Sequence, residues 1–556
     1  MKNNKTSKQN IDLKKISITV FFSLIVFVIS AYFVSIKQNF HIDELCSYGL
    51  ANNQFQMLVD DYKIYTGEQL VKDYLAVHEG NQFDFANLFY NQAHDTHPIL
   101  WYSVLHVICS IFVGNFSKWY GLIINCIFMI FVYWLMRHLL LIITKDKTIS
   151  TIVPIMSMFL NAFINAITFT RMYIMLQAIS LAFVCLIIDK ILDIRNKGLV
   201  ANVDNQQDKT NIIYKERFYL LFILYTIFGA LTQYHYIVIA FIISLIFGLF
   251  LLKYKEYKVL IKSIASGIIG LLVSYAIFPA MINQIFTNTN SLHSLSNGKR
   301  SIDILDNLLG FFSLWRNAFF GNQIVFITII AIIFVLIVLS IFRLNKKSNN
   351  SIISAIIDND NILVLIILTI VSIAYYIIIS STATLIFSRY LFNIYPIVAI
   401  VLFGAIYLLL YHLNNKTRFI SLLFILICII FSNMKLPTHL YYEQKEMIEF
   451  MQEHKDIKTI MTYYDAKDST NIWKLPYPLY DIKDMEQVVF VNTNNNSWED
   501  NEALKDNKNL FVYVYTDTIS NKQDDNDIIG KLARVNNLEN SLAIYKTSYV
   551  HLYMLY

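Results

Sequence analysis

Two short polar stretches of the sequence carry side chains suited to catalysis, and each lies beside a long apolar segment. The first covers residues 40–48 and contains two adjacent carboxylates, Asp43 and Glu44. A carboxylate in such a place can act as a general base, which takes the proton from an attacking hydroxyl or amine. Acidic residues also occur in ordinary solvated loops. The neighbouring His41 and Tyr48, together with the nearby apolar segment, favour the catalytic interpretation.

The second polar stretch is His94-Asp95-Thr96-His97-Pro98. Imidazole and carboxylate groups suit a divalent metal or a site that receives a donor phosphate. The spacing matches no strong metal motif, so a divalent metal is left open. A second interpretation is a helix start, in which Asp95 or Thr96 caps the helix and Pro98 takes an early position in it. The two interpretations are compatible.

Two arginines stand at the predicted outer ends of apolar segments, where positive charge is otherwise scarce. Arg171 precedes Tyr173 by two residues, and Arg389 is followed by Tyr390. Cationic side chains at membrane depth are costly unless they have a function, and a guanidinium group matches a phosphate well. The alternative is that both side chains extend to lipid headgroups. His235, at a polar bend between two apolar runs, is either a substrate ligand or part of a structural bend.

The composition is that of a membrane protein. Of the 556 residues, 56% are hydrophobic and 15% are charged, and the net charge is +5. Soluble proteins carry about 25% charged residues. Apolar segments long enough to span a bilayer, about 17–25 residues, recur along the chain. They fall at 16–35, 119–143, 149–168, 172–190, 217–234, 235–252, 259–281, 322–342, 361–380, 389–411 and 418–433. The five cysteines show no paired spacing, so no disulfide framework or thiolate metal site is indicated.

The distribution of Lys and Arg predicts the orientation of the chain. Residues 1–15 are basic and precede the first apolar segment without a cleavage pattern, which indicates a cytoplasmic N-terminus and a signal anchor. Residues 98–113 are apolar but short, with His106 in the middle. If this segment lies along the outer surface or dips into it, the later basic loops face the cytoplasm, as the positive-inside tendency expects. The C-terminus is then extracytoplasmic.

These patterns predict an all-α polytopic membrane protein with about eleven transmembrane helices. Residues 16–435 form the transmembrane domain, and its outer loop 36–118 carries the catalytic motifs on juxtamembrane helices. Residues 436–556 have a different composition, with short alternating or apolar runs between polar stretches. That pattern predicts a small extracytoplasmic α/β domain.

Acidic, histidine and arginine residues thus gather at the outer ends of several predicted spans. The interiors of the spans show no chain of acidic residues, which a transport path would need. A reaction centre at the outer interface explains this asymmetry better than a conduction path does. The sequence therefore favours an enzyme over a transporter.

The order and sidedness of these motifs resemble those of the GT-C glycosyltransferases. Within that group the chain is similar to the branch holding the protein O-mannosyltransferases and the lipid A aminoarabinose transferase. The motifs are Asp43-Glu44, Thr96-His97-Pro98-Ile-Leu-Trp-Tyr, Arg171-Met-Tyr173, His235-Tyr236 and Arg389-Tyr390, and the resemblance covers roughly residues 16–412. The sequence departs from the common pattern at Ile99, where many members have a second proline.

The resemblance implies a transferase that moves a hexosyl or pentosyl group, with inversion, from a polyprenyl-phosphate carrier at the outer face of the membrane. It implies that Asp43 is the catalytic base, with Glu44 beside it, that Asp95 and His97 line the same cavity and that Arg389 holds the donor phosphate. The predicted catalytic residues are Asp43, Glu44 and Asp95, the predicted substrate-binding residues are His94, His97, Arg171, Tyr173, His235, Arg389 and Tyr390, and the candidate metal ligands are Asp95 and His97.

The composition is rich in Asn, Lys and Ile, as in a bacterium with an AT-rich genome, which would make undecaprenyl phosphate the carrier. The expected partners are this lipid-linked donor, membrane lipids, and an acceptor that is a lipid, a glycan or a protein. No nucleic-acid partner is expected. Two other hypotheses remain: a lipid-linked glycan ligase or polymerase, and a flippase or transporter.

Overall fold

A computed structural model describes residues 13–200, 210–286, 304–345, 359–383, 385–411, 413–433, 437–464, 471–495, 498–516 and 524–556. Most of the predicted cytoplasmic segment 1–15 and the predicted domain boundary at residues 435 and 436 lie outside these ranges.

The helices and strands follow in chain order. The helices are α1 (Leu13–Ser35), α2 (Ile42–Asn52), α3 (Gly67–Leu75), α4 (Phe85–His94), α5 (Leu100–Ile111), α6 (Lys118–Thr144), α7 (Lys147–Ser157), α8 (Asn161–Thr168), α9 (Tyr173–Val200), α10 (Thr210–Thr232), α11 (His235–Lys253), α12 (Tyr257–Ile277), α13 (Ala280–Phe286), α14 (Ile304–Phe320), α15 (Gln323–Asn345), α16 (Asp360–Thr382), α17 (Tyr395–Leu409), α18 (Asn415–Ser432), α19 (Lys445–Glu453) and α20 (Asp525–Asn536). The strands are β1 (Ile64–Tyr65), β2 (Lys458–Tyr463), β3 (Val488–Asn492), β4 (Leu510–Tyr515), β5 (Ser541–Lys546) and β6 (Val550–Leu555).

Long apolar helices confirm the predicted polytopic membrane fold. In the described ranges, eight helices are long and apolar enough to cross a membrane, and two bent pairs raise the number to ten. The pairs are α7 with α8, bent by 62°, and α14 with α15, bent by 84°. Each apolar segment predicted to span coincides with one of these helices or with α10. α10 and α11 form the hairpin predicted over 217–252, and its bend lies at Gln233 and Tyr234.

The short apolar segment 98–113 folds as α5, which has 12 residues. At about 1.5 Å per residue this helix is too short for a hydrocarbon core of about 30 Å. One face of α5 carries the buried side chains Trp101, Tyr102 and Leu105, which contact protein, whereas Ile111 is 64% exposed. The helix therefore packs on α2 and α6 with one face and leaves the other open.

The C-terminal residues form the predicted α/β domain around a six-stranded sheet of order β1-β3-β2-β4-β6-β5. β3, β2 and β4 are parallel, and the strands at both edges are antiparallel to their neighbours. β2, β3 and β4 are almost wholly buried, as is typical of parallel strands covered on both faces. The first strand belongs to the outer loop: Ile64 pairs with Val489, and Tyr65 pairs with Val488. The sheet therefore includes a strand from outside residues 436–556.

A short extended segment joins the membrane helices to the C-terminal domain. Directly after α1, Lys37 donates from Nζ to the carbonyl of His439 at 2.9 Å, and the Gln38 amide donates to the Leu440 carbonyl at 2.9 Å. Asn39 Nδ2 then donates to the carboxylate of Asp481 at 2.6 Å. These contacts fix the C-terminal domain directly over α2, the helix that carries Asp43.

Candidate active site

The first turn of α2 is formed by a reciprocal cap. The His41 ring accepts a hydrogen bond from the Asp43 amide at 3.2 Å, and the Glu44 carboxylate accepts one from the His41 amide at 2.7 Å. This arrangement is a capping box built on a histidine, and it satisfies two amides that a helix start leaves without partners. It also fixes the directions of the two carboxylates. Asp43 points to the cluster of charged residues, and Glu44 points into the protein.

Asp43 lies between two arginines from distant parts of the chain. Its Oδ2 is 3.1 Å from Nη1 of Arg171, in the turn between α8 and α9, and 3.2 Å from Nη1 of Arg389, just before α17. Both contacts are ion pairs. Neither guanidinium directs an N–H at Oδ2 well enough to form a hydrogen bond, so this buried oxygen has no hydrogen-bond partner among the described residues. The Asp43 side chain is still 21% exposed. Its other oxygen, Oδ1, is therefore the accessible one, and it bonds to no group in the described ranges.

The charges around Asp43 determine its protonation state. Burial alone would raise the pKa of Asp43, but the positive charges of Arg389 and Arg171 outweigh burial and hold that pKa well below its ordinary value. Burial also lowers the pKa of His41, despite the nearby carboxylate of Asp43. At neutral pH the centre thus contains an ionised Asp43, a neutral His41 and two charged arginines.

Glu44 is placed differently from its neighbour. Its side chain is 0% exposed and forms an ion pair with the equally buried Lys37 at 3.1 Å. The second carboxylate oxygen accepts a hydrogen bond from the Thr170 amide at 2.6 Å. These contacts join α2 to the turn that carries Arg171. They are the contacts of a positioning residue, and a direct catalytic role for Glu44 remains a prediction.

The second polar stretch meets the first through Arg171. His97 lies 2.8 Å from Asp95 through Nδ1, and its Nε2 lies 3.1 Å from Nη2 of Arg171. The same Nη2 donates to the Tyr102 hydroxyl at 3.0 Å. Burial would raise the pKa of Asp95, but the His97 ring and Arg171 lower it overall. The interpretation in which Asp95 or Thr96 caps α5 is wrong, because α5 has no side-chain cap at its start.

The remaining predicted residues divide between the cluster and its surroundings. The His235 ring packs edge-on against the Tyr390 ring at 5.5 Å, and its buried Nδ1 has no hydrogen-bond partner among the described residues. Tyr390 also lies beside the guanidinium of Arg389, 5.7 Å from ring centre to Cζ. Tyr173 packs between Phe169 and Phe392 at the start of α9. His94 lies outside the cluster around Asp43. Its ring is exposed and bonds to the carbonyl of Tyr90 in its own helix.

A histidine that no sequence pattern indicated approaches the centre from the C-terminal side. His439 is 9% exposed, and its ring packs 4.4 Å from Phe169 and 6.3 Å from His41. Neither of its ring nitrogens has a hydrogen-bond partner among the described residues. Burial lowers its pKa well below the ordinary value, so the ring is neutral. No sequence pattern links this residue to His41, which lies about 400 positions earlier.

The described residues hold no group of three or more His, Cys, Asp or Glu side chains that could bind a metal ion. Asp95 and His97 form only a pair, and Arg171 contacts that pair directly. A metal at these two residues therefore remains a prediction.

No protein-family model matches the sequence, and no curated protein matches it. Among solved structures, the chain is similar to ArnT from Cupriavidus metallidurans bound to undecaprenyl phosphate, with a TM-score of 0.47 and 9% identity over 98% of each chain. The apo form of the same protein gives a TM-score of 0.46 and 8% identity, over 97% of this chain and 98% of that one. ArnT is the lipid A aminoarabinose transferase of the branch that the sequence motifs resemble. At this identity and TM-score the likeness concerns overall architecture and transfers no residue's role.

Proposed function

We propose that this protein is an integral membrane glycosyltransferase that moves a sugar from a polyprenyl-phosphate-linked donor to an acceptor at the extracytoplasmic face. One observation carries the proposal: a carboxylate has one oxygen held between two guanidinium groups and the other open to solvent. The open oxygen suits a general base. The two cations suit the phosphate that leaves the donor.

Arg389 and Arg171 favour an anionic ligand at the centre. Among the described residues Arg389 forms an ion pair only with Asp43, whose Oδ2 it shares with Arg171, while the Asp95 carboxylate lies against His97 beside Arg171. The Nε of Arg171 is buried and has no partner among the described residues. A buried donor without an acceptor is costly. A phosphate oxygen in this position would satisfy that donor.

The location of the centre suits a lipid-linked donor. Asp43, Arg171 and Arg389 all lie at or just beyond the ends of helices, and α9 and the helix that begins at Ser388 are long and apolar enough to cross a membrane. Such ends lie near the headgroup level, where the phosphate of a polyprenyl carrier also lies. We infer that this level is extracytoplasmic from the positive-inside distribution of Lys and Arg. Undecaprenyl phosphate is the carrier we propose.

The proposed reaction is a single displacement. The acceptor oxygen or nitrogen bonds to the anomeric carbon while the bond from that carbon to the phosphate oxygen breaks. The phosphate keeps the bonding electrons and is stabilised by Arg389 and Arg171, and the acceptor's proton passes to Oδ1 of Asp43. His97, held by Asp95, keeps Arg171 in place during this step.

Replacing Asp43 with Asn tests the proposal. The purified protein in nanodiscs is given a panel of undecaprenyl-phosphate sugars, and release of the lipid phosphate is measured. We expect release by the wild type and a loss of roughly 10²–10⁴-fold in Asp43→Asn, the usual contribution of a general base. The matched control is Asp73→Asn, on an exposed position of α3, which should leave the rate unchanged.

Two results would contradict the proposal. A folded wild type that releases lipid phosphate from no donor in the panel would direct attention to the ligase, polymerase or transporter hypotheses. An Asp43→Asn variant that works at the wild-type rate would remove Asp43 from the role of base.

A further inference from the structure

The C-terminal domain presents three aromatic side chains to the candidate active site, which we call the aromatic wall: Trp473, Tyr477 and Tyr549. The Tyr549 ring lies 4.9 Å from that of Tyr477 at 37°, and 6.3 Å from that of Trp473 at 83°. Tyr549 lies in the tight turn between β5 and β6, which is closed by hydrogen bonds of Thr547 with the Tyr549 and Val550 amides. This turn fixes the backbone from which the Tyr549 ring extends.

The Tyr549 ring and the backbone that carries Trp473 contact α2 and its cap on the two sides of Asp43. The His41 ring is 6.1 Å from the Tyr549 ring, and its Nδ1 is 3.5 Å from Oδ2 of Asp43. One turn further along, the thiol of Cys46 lies 3.8 Å from the carbonyl of Trp473. Burial raises the pKa of Tyr549, the carboxylate of Asp43 raises it further, and Arg389 opposes this. The Tyr549 hydroxyl is thus within electrostatic reach of the proposed base and of a proposed phosphate ligand.

The members of the aromatic wall differ in exposure: Trp473 is exposed, Tyr549 is half-buried and Tyr477 is buried. Trp473 is 40% exposed, although its backbone carbonyl lies 3.8 Å from the Cys46 thiol of α2. The C-terminal domain is already held in place by the bonds of Lys37, Gln38 and Asn39 and by the pairing of β1 with β3. Joining the two parts of the protein therefore does not account for an exposed indole here. Exposed aromatic side chains beside a few convergent polar groups are typical of a ligand site.

Polar groups without partners lie beside His41 and on the aromatic wall itself. Both ring nitrogens of His439 are buried without a hydrogen-bond partner among the described residues, and this ring lies 6.3 Å from that of His41. In the same ranges no group bonds to the hydroxyl of Tyr549. A ligand that combines an apolar face with several hydroxyl groups would cover the rings and bond to this hydroxyl. A pyranose has that combination, because the C–H bonds on one face pack against aromatic rings while its hydroxyls point outward.

We infer that the aromatic wall is a binding site for a sugar ring of a carbohydrate acceptor. The inference rests on the proposed function only for the role of Asp43, because the binding of a sugar is a separate property. A donor is held at its phosphate by Arg171 and Arg389, whereas the aromatic wall is reached through His41. A sugar stacked there would present a hydroxyl to Oδ1 of Asp43, from which that oxygen takes the proton.

The inference is tested by saturation-transfer NMR on the full chain in nanodiscs, prepared without glucoside or maltoside detergents. The probes are methyl hexosides and short oligosaccharides. We expect saturation transfer to at least one probe in the wild type, at least tenfold weaker binding in Trp473→Ala, and weaker binding in Tyr549→Ala. Trp119→Ala is the matched control, because this residue is similarly exposed, at 37%, and lies on the membrane helix α6, where it makes no ring contact with the aromatic wall. Tyr549→Phe keeps the ring and tests the hydroxyl separately.

Transfer kinetics distinguish an acceptor from a donor sugar. In Trp473→Ala we expect a raised acceptor KM and an unchanged donor KM. A raised donor KM alone would mean that the donor sugar lies on the aromatic wall, and would overturn the inference. So would equal binding in Trp473→Ala, Tyr549→Ala and the wild type, or the absence of binding to every probe. Probe binding that depends on Trp473 without any sugar transfer would uphold the binding site and contradict the proposed function.

Discussion

At the scale of single residues, the two arginines at Asp43 both help and oppose the proposed chemistry. They lower the pKa of Asp43 and so make it a weak base before a donor binds. A general base works best when its pKa is near the working pH. A donor phosphate bound to Arg171 and Arg389 would neutralise part of their positive charge. The pKa of Asp43 would then rise, and Asp43 would become a stronger base. The base would then become effective when the donor is in place.

Replacing Arg389 with Gln should reveal this coupling in the pH dependence of kcat/KM, which reports the free enzyme. In the wild type, the acidic limb due to Asp43 should lie below the ordinary aspartate pKa near 3.8. Arg389→Gln removes one of the two positive charges that lower the pKa of Asp43, while burial still raises it. The acidic limb should therefore move to higher pH. We also expect kcat to fall by roughly 10²–10³-fold, as when an oxyanion donor is removed.

Arg316→Gln is the control for this measurement. The Arg316 guanidinium bonds to Asn317 and Ser313 on its own helix, α14, and makes no ion pair with Asp43. Its pH profile should match that of the wild type. An acidic limb that stays in place in Arg389→Gln would mean that Arg389 does not control the protonation of Asp43.

At the scale of elements, α3 shows how closely the outer loop fits the C-terminal domain. The Gly67 amide donates to the carbonyl of Met485 at 2.8 Å. A Cβ added to Gly67 would lie 1.7 Å from the backbone oxygen of Ile482. No side chain fits at this point, so α3 and the segment around Ile482 are in direct backbone contact. β1, which ends two residues before Gly67, continues the same contact into the sheet.

Gly67→Ala should therefore lower the thermal unfolding temperature and reduce transfer, because α3 must move away from the C-terminal domain. We expect a destabilisation of about 1–3 kcal/mol, the usual range for overpacking. Gly530→Ala is the matched control, since a Cβ there meets nothing within 4 Å and the residue lies in α20. It should be neutral or slightly stabilising. Equal unfolding temperatures for Gly67→Ala and the wild type would show that this contact is loose.

The elements also show which features sequence analysis could predict. The membrane helices were predictable because a bilayer requires long apolar segments, and α2 and the turn with Arg171 lie directly at their ends. β1 has only two residues, so it carries no periodicity. The approach of His439 and Tyr549 to His41 depends on tertiary packing between segments about 400 and 500 residues apart. The membrane sidedness of the site remains a prediction.

At the scale of the whole molecule, the joint between the membrane helices and the C-terminal domain contains a buried carboxyl. Asp481 is 4% exposed and accepts a hydrogen bond from Asn39 at 2.6 Å, two residues before His41. Burial raises the pKa of Asp481 from 3.8 to about 7, and the hydrogen bonds to it offset only part of this rise. A proton taken up or released here thus changes the stability of the contact that holds the aromatic wall over α2.

The raised pKa of Asp481 predicts how stability depends on pH. Between about pH 4 and pH 7 the folded protein keeps a proton on Asp481 that the unfolded chain has released. The free energy of unfolding should therefore decrease as the pH rises through this range, and the loss should be complete above pH 7. Asp481→Asn removes this contribution, because the amide stays neutral and its oxygen can still accept from Asn39. The variant should gain stability relative to the wild type when the pH is raised from 5 to 8.

Thermal unfolding of the wild type and Asp481→Asn in nanodiscs, at pH 5 and pH 8, measures this difference. Asp484→Asn is the matched control, because Asp484 is exposed and bonds to Gln452 at the surface. The difference in unfolding temperature between Asp484→Asn and the wild type should be the same at both pH values. The difference in unfolding temperature between Asp481→Asn and the wild type could also be the same at pH 5 and pH 8. In that case Asp481 is ionised at both pH values, and the joint between the two parts of the molecule does not respond to pH. A pH-dependent difference would mean that burial of the ionised Asp481 carboxylate at this joint destabilises the folded protein.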